Sequence, residues 1–140
     1  MSNVNVTKTI NVSAESAWNN LSSFRGIEHF SPIARSVVEG NGIGATRSCF
    51  MPDNAEIKEV MSGLDNDSMT LEYKILSGPF PFENYVSTVK VMGNDIESCE
   101  VSWGSNFDVS EENEAAMQEL LGGFYNAMID GLETLIKSNS

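Results

Sequence analysis

The sequence predicts an α+β domain in which an antiparallel sheet of seven strands packs beneath one long C-terminal helix. Three observations carry that prediction. From about Ser110 to Lys137 the apolar residues Met117, Leu120, Leu121, Phe124, Tyr125, Met128, Ile129, Leu132, Leu135 and Ile136 recur in steps of three, four and one, which lines one face of a helix. Nearly everything before that segment alternates apolar and polar with a period of two, as half-buried strands do. Short clusters of Gly, Pro, Asn and Asp separate the alternating segments, so successive strands fold back on one another.

Val4 to Val12 is the first strand, with Val4, Val6, Ile10 and Val12 on one face and Asn5, Thr7, Thr9 and Asn11 on the other. Lys8 interrupts the apolar face and is placed at an edge, where its ammonium reaches water. Ser13 caps a short helix whose apolar side is Ala17, Trp18 and Leu21, with Phe24 at its end. Gly26 to Pro32 breaks that pattern, and Phe30-Ser31-Pro32 suggests a second, irregular helical turn. Ile33 to Glu39 is the next strand. Gly40-Asn41-Gly42-Ile43-Gly44 loosely mimics a dinucleotide-binding loop, but an alternating segment follows where that motif requires a helix. Those glycines are therefore read as bends between strands. Ala45–Met51, Glu56–Met61, Met69–Ile75, Glu83–Val91 and Glu97–Phe107 complete the sheet. Asp108 or Ser110 caps the last helix, and Glu111, Glu112 and Glu114 sit where its dipole favours acid. At roughly 1.5 Å per residue that helix is about 40 Å long, enough to cross the domain.

Length and charge narrow the function. The 140 residues fit one domain, 1–140, with a core that needs neither disulfide nor metal. Eight basic against twenty acidic residues leave a formal charge of −12. Phosphate backbones and anionic lipid surfaces would repel such a chain, so neither a nucleic-acid partner nor a membrane is expected. The longest apolar run falls short of a membrane span, and Met1 to Val6 lacks the character of a signal peptide, so a cytoplasmic protein is expected. Cys49 and Cys99 form no CxxC pair and His29 is the lone histidine, so no zinc site, redox pair or cofactor is expected. Asn5-Val6-Thr7 and Asn11-Val12-Ser13 match the glycosylation triplet, which has meaning only in a secreted chain.

Parity shows which strand residues face the helix. Ile57, Glu59 and Met61 point inward, as do Leu71, Tyr73 and Ile75, and Cys99, Val101 and Trp103. Centring the hairpins on Asp53, Asn66, Pro79 and Asn94 pairs Arg47 with Glu59, Glu59 with Tyr73, Tyr73 with Tyr85, and Tyr85 with Trp103. One row of charged and aromatic side chains then crosses the face under the helix. An inward Arg47–Glu59 couple is either a buried ion pair that fixes register or a polar anchor at the floor of a ligand cavity. Tyr73, Tyr85 and Trp103 are either core or the flat lining of a wet cavity. His29 reads as a solvent-facing loop residue rather than a base. Gly122-Gly123 invites a bend, leaves space above the sheet, or marks a tight helix–strand contact. Met117 and Met128 are adaptable fillers. Phe80 and Phe82, interleaved with Pro79 and Pro81, make a stiff apolar loop that acts as plug or gate.

The order strand, two short helices, six-stranded meander, long helix resembles the START-like helix-grip superfamily, or SRPBCC, with its birch-pollen-allergen-like members. Val12-Ser13-Ala14-Glu15-Ser16-Ala17-Trp18, Gly42-Ile43-Gly44-Ala45-Thr46-Arg47, Ile57-Lys58-Glu59 with Asp65, Leu71-Glu72-Tyr73 and Gly78-Pro79-Phe80-Pro81 look like its bacterial polyketide cyclase/dehydrase-like branch. The resemblance spans essentially the whole chain. It implies a curved seven-stranded sheet wrapped around the long helix, two short helices after the first strand, and a cavity for apolar molecules. Members bind lipids, sterols, plant hormones and polyketides, and some are cyclases or dehydratases. Family arginine, glutamate and tyrosine positions map onto Arg47, Glu59 and Tyr73.

The leading expectation is a carrier or sensor of a small, mainly hydrophobic molecule, acting as a monomer or homodimer. Arg47 and Glu59 would orient its polar end, while Tyr73, Tyr85, Trp103, Phe124 and Met128 supply apolar contact. The alternative is a polyketide cyclase or dehydratase with Glu59 as acid or base and Arg47 or Tyr73 steadying an enolate oxygen. A protein-interaction module is the third class.

Overall fold

The computed structural model describes residues 2–139. Strand β1 (Ser2–Ile10) leads into helix α1 (Ala14–Ser22) and a 3-10 turn at Ile27–His29. Strands β2 (Arg35–Glu39), β3 (Thr46–Phe50), β4 (Glu56–Asp65), β5 (Thr70–Ser77), β6 (Phe82–Asp95) and β7 (Ser98–Val109) follow, and helix α2 (Glu111–Ser138) closes the order. The seven strands form one antiparallel sheet in the order β1-β7-β6-β5-β4-β3-β2. This is the expected α+β helix-grip architecture. Because β1 and β2 lie at opposite edges, the segment between them crosses the concave face, and α1 packs there against β6, β7 and α2.

Local chemistry explains the elements. The Ser13 hydroxyl accepts the Ser16 N–H at 3.1 Å and caps α1. Trp18 donates its indole N–H to Asn66 at 3.0 Å, which pins α1 to the β4–β5 turn. Alternation holds along the strands: in β7, Cys99, Val101, Trp103, Ser105 and Phe107 are all buried. Bulges fall near Ser62 and between Glu83 and Val86, and they supply the bend that a flat ladder would lack.

Helix α2 lies along β1 in the same direction. Gln118 donates to Ser2 at 2.9 Å, Lys8 pairs with Asp130 at 2.6 Å, and the Asn11 N–H reaches Glu133 at 2.6 Å. Lys8 thus breaks the apolar alternation in order to meet the helix. The buried face of α2 is Leu121, Tyr125, Met128, Ile129 and Leu132. Its first three turns, up to Leu120, contain no fully buried residue.

Three expectations change. The first strand ends at Ile10, and Val12 is buried from the turn beyond it. Helix α2 runs unbroken through Gly122-Gly123, where an added Cβ would meet only Val4 Cγ1, at 3.9 Å from position 122. The close approach is at Gly131, whose added Cβ would lie 2.3 Å from the Phe30 carbonyl oxygen. The third change is the register. Arg47 pairs with Glu59 as expected, but Glu59 lies opposite Ile75, Tyr73 opposite Ser87, and Trp103 opposite Val89. The hairpins centre near Asp67, Phe80 and Ile96 because β4 and β6 run further than alternation suggested, to Asp65 and Asp95. Each slip is by an even number of residues, so every member of the row keeps its face while losing its direct neighbour.

Candidate functional site

The polar centre of the interior is Arg47 on β3 with Glu59 opposite it on β4. Arg47 Nε donates to Glu59 Oε1 at 2.6 Å, and both side chains are less than a tenth exposed. The guanidinium lies 3.9 Å over the Phe24 ring and 5.3 Å from the Tyr73 ring centre, and Nη1 donates to the Phe24 carbonyl at 3.4 Å. Phe24 adopts φ +63°, a left-handed conformation that costs a bulky residue about 1–3 kcal/mol and is tolerated where surroundings enforce it. Here it presents both ring and carbonyl to the same cation. Burial disfavours the charge on Arg47, but Glu59, Cys49 and Tyr73 together outweigh that and hold its pKa above the ordinary arginine value. The Cys49 thiol contacts Glu59 Oε1 at 3.6 Å; burial, then the neighbouring carboxylate, pushes its pKa well up and keeps it a thiol.

Beside this pair a hollow opens between sheet and helix. Ile57, Glu59, Tyr73, Ile75 and Tyr85 line it from the sheet, and Leu121, Phe124, Tyr125 and Met128 from α2. Ile27, Ile33 and Phe80 close its end. The free space is about 40 Å³, room for a few water molecules. Glu59 is the one charged residue among the described lining. The other polar groups are the hydroxyls of Tyr73, Tyr85 and Tyr125. Trp103 donates to the Tyr73 hydroxyl at 3.1 Å, while Tyr85 and Tyr125 share a hydroxyl–hydroxyl bond and Tyr125 donates on to Ser105 at 2.7 Å. Burial raises the pKa of all three phenols, so they remain protonated donors.

Five of the seven expected ligand contacts, Glu59, Tyr73, Tyr85, Phe124 and Met128, therefore line the hollow. Arg47 and Trp103 sit behind it, buttressing Glu59 and Tyr73. His29 is exposed, and Met117 is half-buried outside the lining. Among the described residues no group of three or more His, Cys, Asp or Glu is placed to hold a metal, and no helix is long and apolar enough to cross a membrane.

Known proteins share this fold. The family model for polyketide cyclase / dehydrase and lipid transport matches residues 1–137. The chain belongs to that family. It is thereby a member of the START-like, SRPBCC superfamily, as the order of its elements implied. Its structure superposes on the family-fold protein XoxI from Bacillus cereus with a TM-score of 0.87 at 24% identity, covering 96% of this chain and 95% of that one. A Thermobifida fusca protein gives 0.85 at 22% identity over 95% and 91% of the two chains. Norcoclaurine synthase from Thalictrum flavum, in complex with dopamine and hydroxybenzaldehyde, gives 0.79 at 19% identity over 99% and 88%. At these identities the likeness is one of fold. No curated protein sequence matches the chain.

Within the family fold, sequence reasoning missed three parts of the site. Apolar spacing places Phe24 at the end of a helix face, whereas the structure makes it the platform under Arg47. Spacing likewise places Tyr125 in the apolar stripe, yet its hydroxyl reaches across to β6 and β7. Ser105 and Ser87 are buried with their hydroxyls bonded, Ser87 to the Gly104 carbonyl at 2.8 Å. Their inward parity was available in β6 and β7.

Proposed function

We propose that this protein binds a small, mainly hydrophobic molecule, lipid, sterol or polyketide-like, in the space between sheet and α2. The observation that carries the proposal is the composition of the hollow: aromatic and aliphatic walls with one carboxylate and three phenols converging on them. Ligand sites combine those features, a mostly apolar surface and a few placed polar groups. At about 40 Å³ the hollow is far smaller than such a ligand, so binding has to enlarge it. Met128 on the roof is adaptable, and the start of α2 up to Leu120 buries no residue fully. The family description, which includes lipid transport, points the same way. A cytoplasmic location and a monomeric or homodimeric state, without nucleic acid, belong to this reading.

Glu59 favours a second reading, because it is the one charged group among the described lining of the hollow. In a cyclase or dehydratase it would move a proton while Tyr73 held a developing oxyanion. Norcoclaurine synthase, with two small aromatic compounds bound, shows that this fold accommodates such molecules. One pair of measurements addresses both readings: thermal shift against fatty acids, sterols and aromatic polyketides, and mass spectrometry for conversion of any compound that binds, on the wild type and on Glu59→Gln. A true ligand at 100 times its dissociation constant adds about 2.7 kcal/mol. Absence of a shift with every class would overturn the binding reading. Retained binding with lost turnover in Glu59→Gln would establish the enzyme.

A further inference from the structure

The β5–β6 ladder ends early. Its pairs run from Thr70–Lys90 to Lys74–Val86. Beyond that point β5 continues to Ser77 against β4, and β6 begins at Phe82 against β7. An irregularity between Glu83 and Val86 turns the start of β6 away, with Asn84 at φ +55° and its amide bonded to Asp108 at 2.8 Å. The two strands therefore diverge around a slot of about 720 Å³, open to solvent and closed at its tip by Gly78–Pro81. Strand edges that face a gap present backbone N–H and C=O groups in alternation.

Ile75, Phe80 and Tyr85 line both this slot and the hollow under α2. The two spaces are thus neighbours with a shared wall, and the ring of Phe80 belongs to both linings. That ring is half-buried, stacks on Phe82 at 5.5 Å, and sits in a loop rather than a strand. It can swing out without breaking a ladder. The vacated ring volume, added to the existing hollow, is the size of another ring.

We propose that slot and hollow form one site for a ring-bearing small molecule with a neutral, amide-like head. The ring replaces that of Phe80, and the head lies between the diverging strands. This rests on the proposed binding of an apolar molecule under α2 and adds its class and its second half. The amide head follows from the alternating donors and acceptors of the two edges. Its neutrality follows from the walls, where Lys74 supplies one cation and Glu83 one carboxylate.

The test uses two probes, hippuramide and toluene, with NMR of the whole chain. Hippuramide is expected to shift signals of Met128 and also of Leu76 and Val86, whereas toluene shifts Met128 alone. Phe80→Ala should bind hippuramide about tenfold tighter, because it removes the competing occupant. Leu76→Trp, at an exposed position of the slot, should weaken hippuramide about tenfold and leave toluene unchanged. Hippuramide that shifts Met128 but neither Leu76 nor Val86, and binds Leu76→Trp as it binds the wild type, would overturn the slot and spare the hollow. Weaker binding by a folded Phe80→Ala would overturn the replacement of its ring. If neither probe moves Met128, this inference is overturned, while the binding reading itself is decided by the thermal shifts with fatty acids, sterols and polyketides.

Discussion

Arg47 satisfies its charge through Glu59, two aromatic faces and a backbone carbonyl, all out of water. A lysine could not reproduce that planar contact. Removing one partner strands the other: Arg47→Met should cost about 3–5 kcal/mol in urea unfolding, whereas Arg47→Met with Glu59→Leu should cost less than the single change. A double variant more stable than the wild type would show that the pair fixes the register at a net cost, and one no better than Arg47→Met would refute the stranding of Glu59. At this scale the sequence revealed the inward direction of Arg47, Glu59, Tyr73, Tyr85 and Trp103, because parity along a strand is strictly two. It did not reveal Phe24 beneath Arg47. That contact depends on a left-handed backbone at a residue type that rarely adopts one, so no local pattern announces it.

Among the elements, helix α2 was legible from spacing alone, while the hairpins were legible in number but not in register. A turn such as Asp65-Asn66-Asp67-Ser68 offers several centres. The structure begins it at Asp65, whose carboxylate accepts the Asp67 and Ser68 N–H groups at 2.9 and 3.3 Å. Nothing in the polarity of the strands distinguishes that choice from one a residue earlier. Helix glycines were equally ambiguous, and contact geometry separates them. Gly131→Ala drives a methyl into the Phe30 carbonyl and should destabilise by about 1–3 kcal/mol despite the better helix propensity of alanine. Gly123→Ala meets open space and should stabilise by about 0.5–1 kcal/mol. Thermal unfolding of the two variants checks both signs. A stabilised Gly131→Ala would mean that the 3-10 segment yields freely to the helix.

For the whole molecule, fold and family followed from the order of elements, but the size of the hollow did not. Free volume is a small difference between packed side chains, and here it is set by the rings of Phe80, Phe124 and Tyr125 rather than by any motif. The same packing makes a global prediction. The protein has three tyrosines, Tyr73, Tyr85 and Tyr125, and burial raises all of them above the ordinary value of 10.0. In the unfolded chain they ionise near that value, so above it the native state holds more protons. Their contribution to stability is complete below pH 10 and is lost as pH rises further. An alkaline titration should therefore show no tyrosinate absorbance until the chain unfolds, and then all three phenolates together. Gradual ionisation near pH 10 with the helix signal intact would refute it.

The alignment of α2 along β1 also governs how the chain can be made. Lys8 and Asp130 are separated by 122 positions in sequence, and β1 pairs only with β7 within the sheet. During translation the first strand emerges long before either of its neighbours exists. A nascent chain that has not yet delivered α2 exposes the inner wall of the sheet, so the interior is sealed only after the helix has left the ribosome.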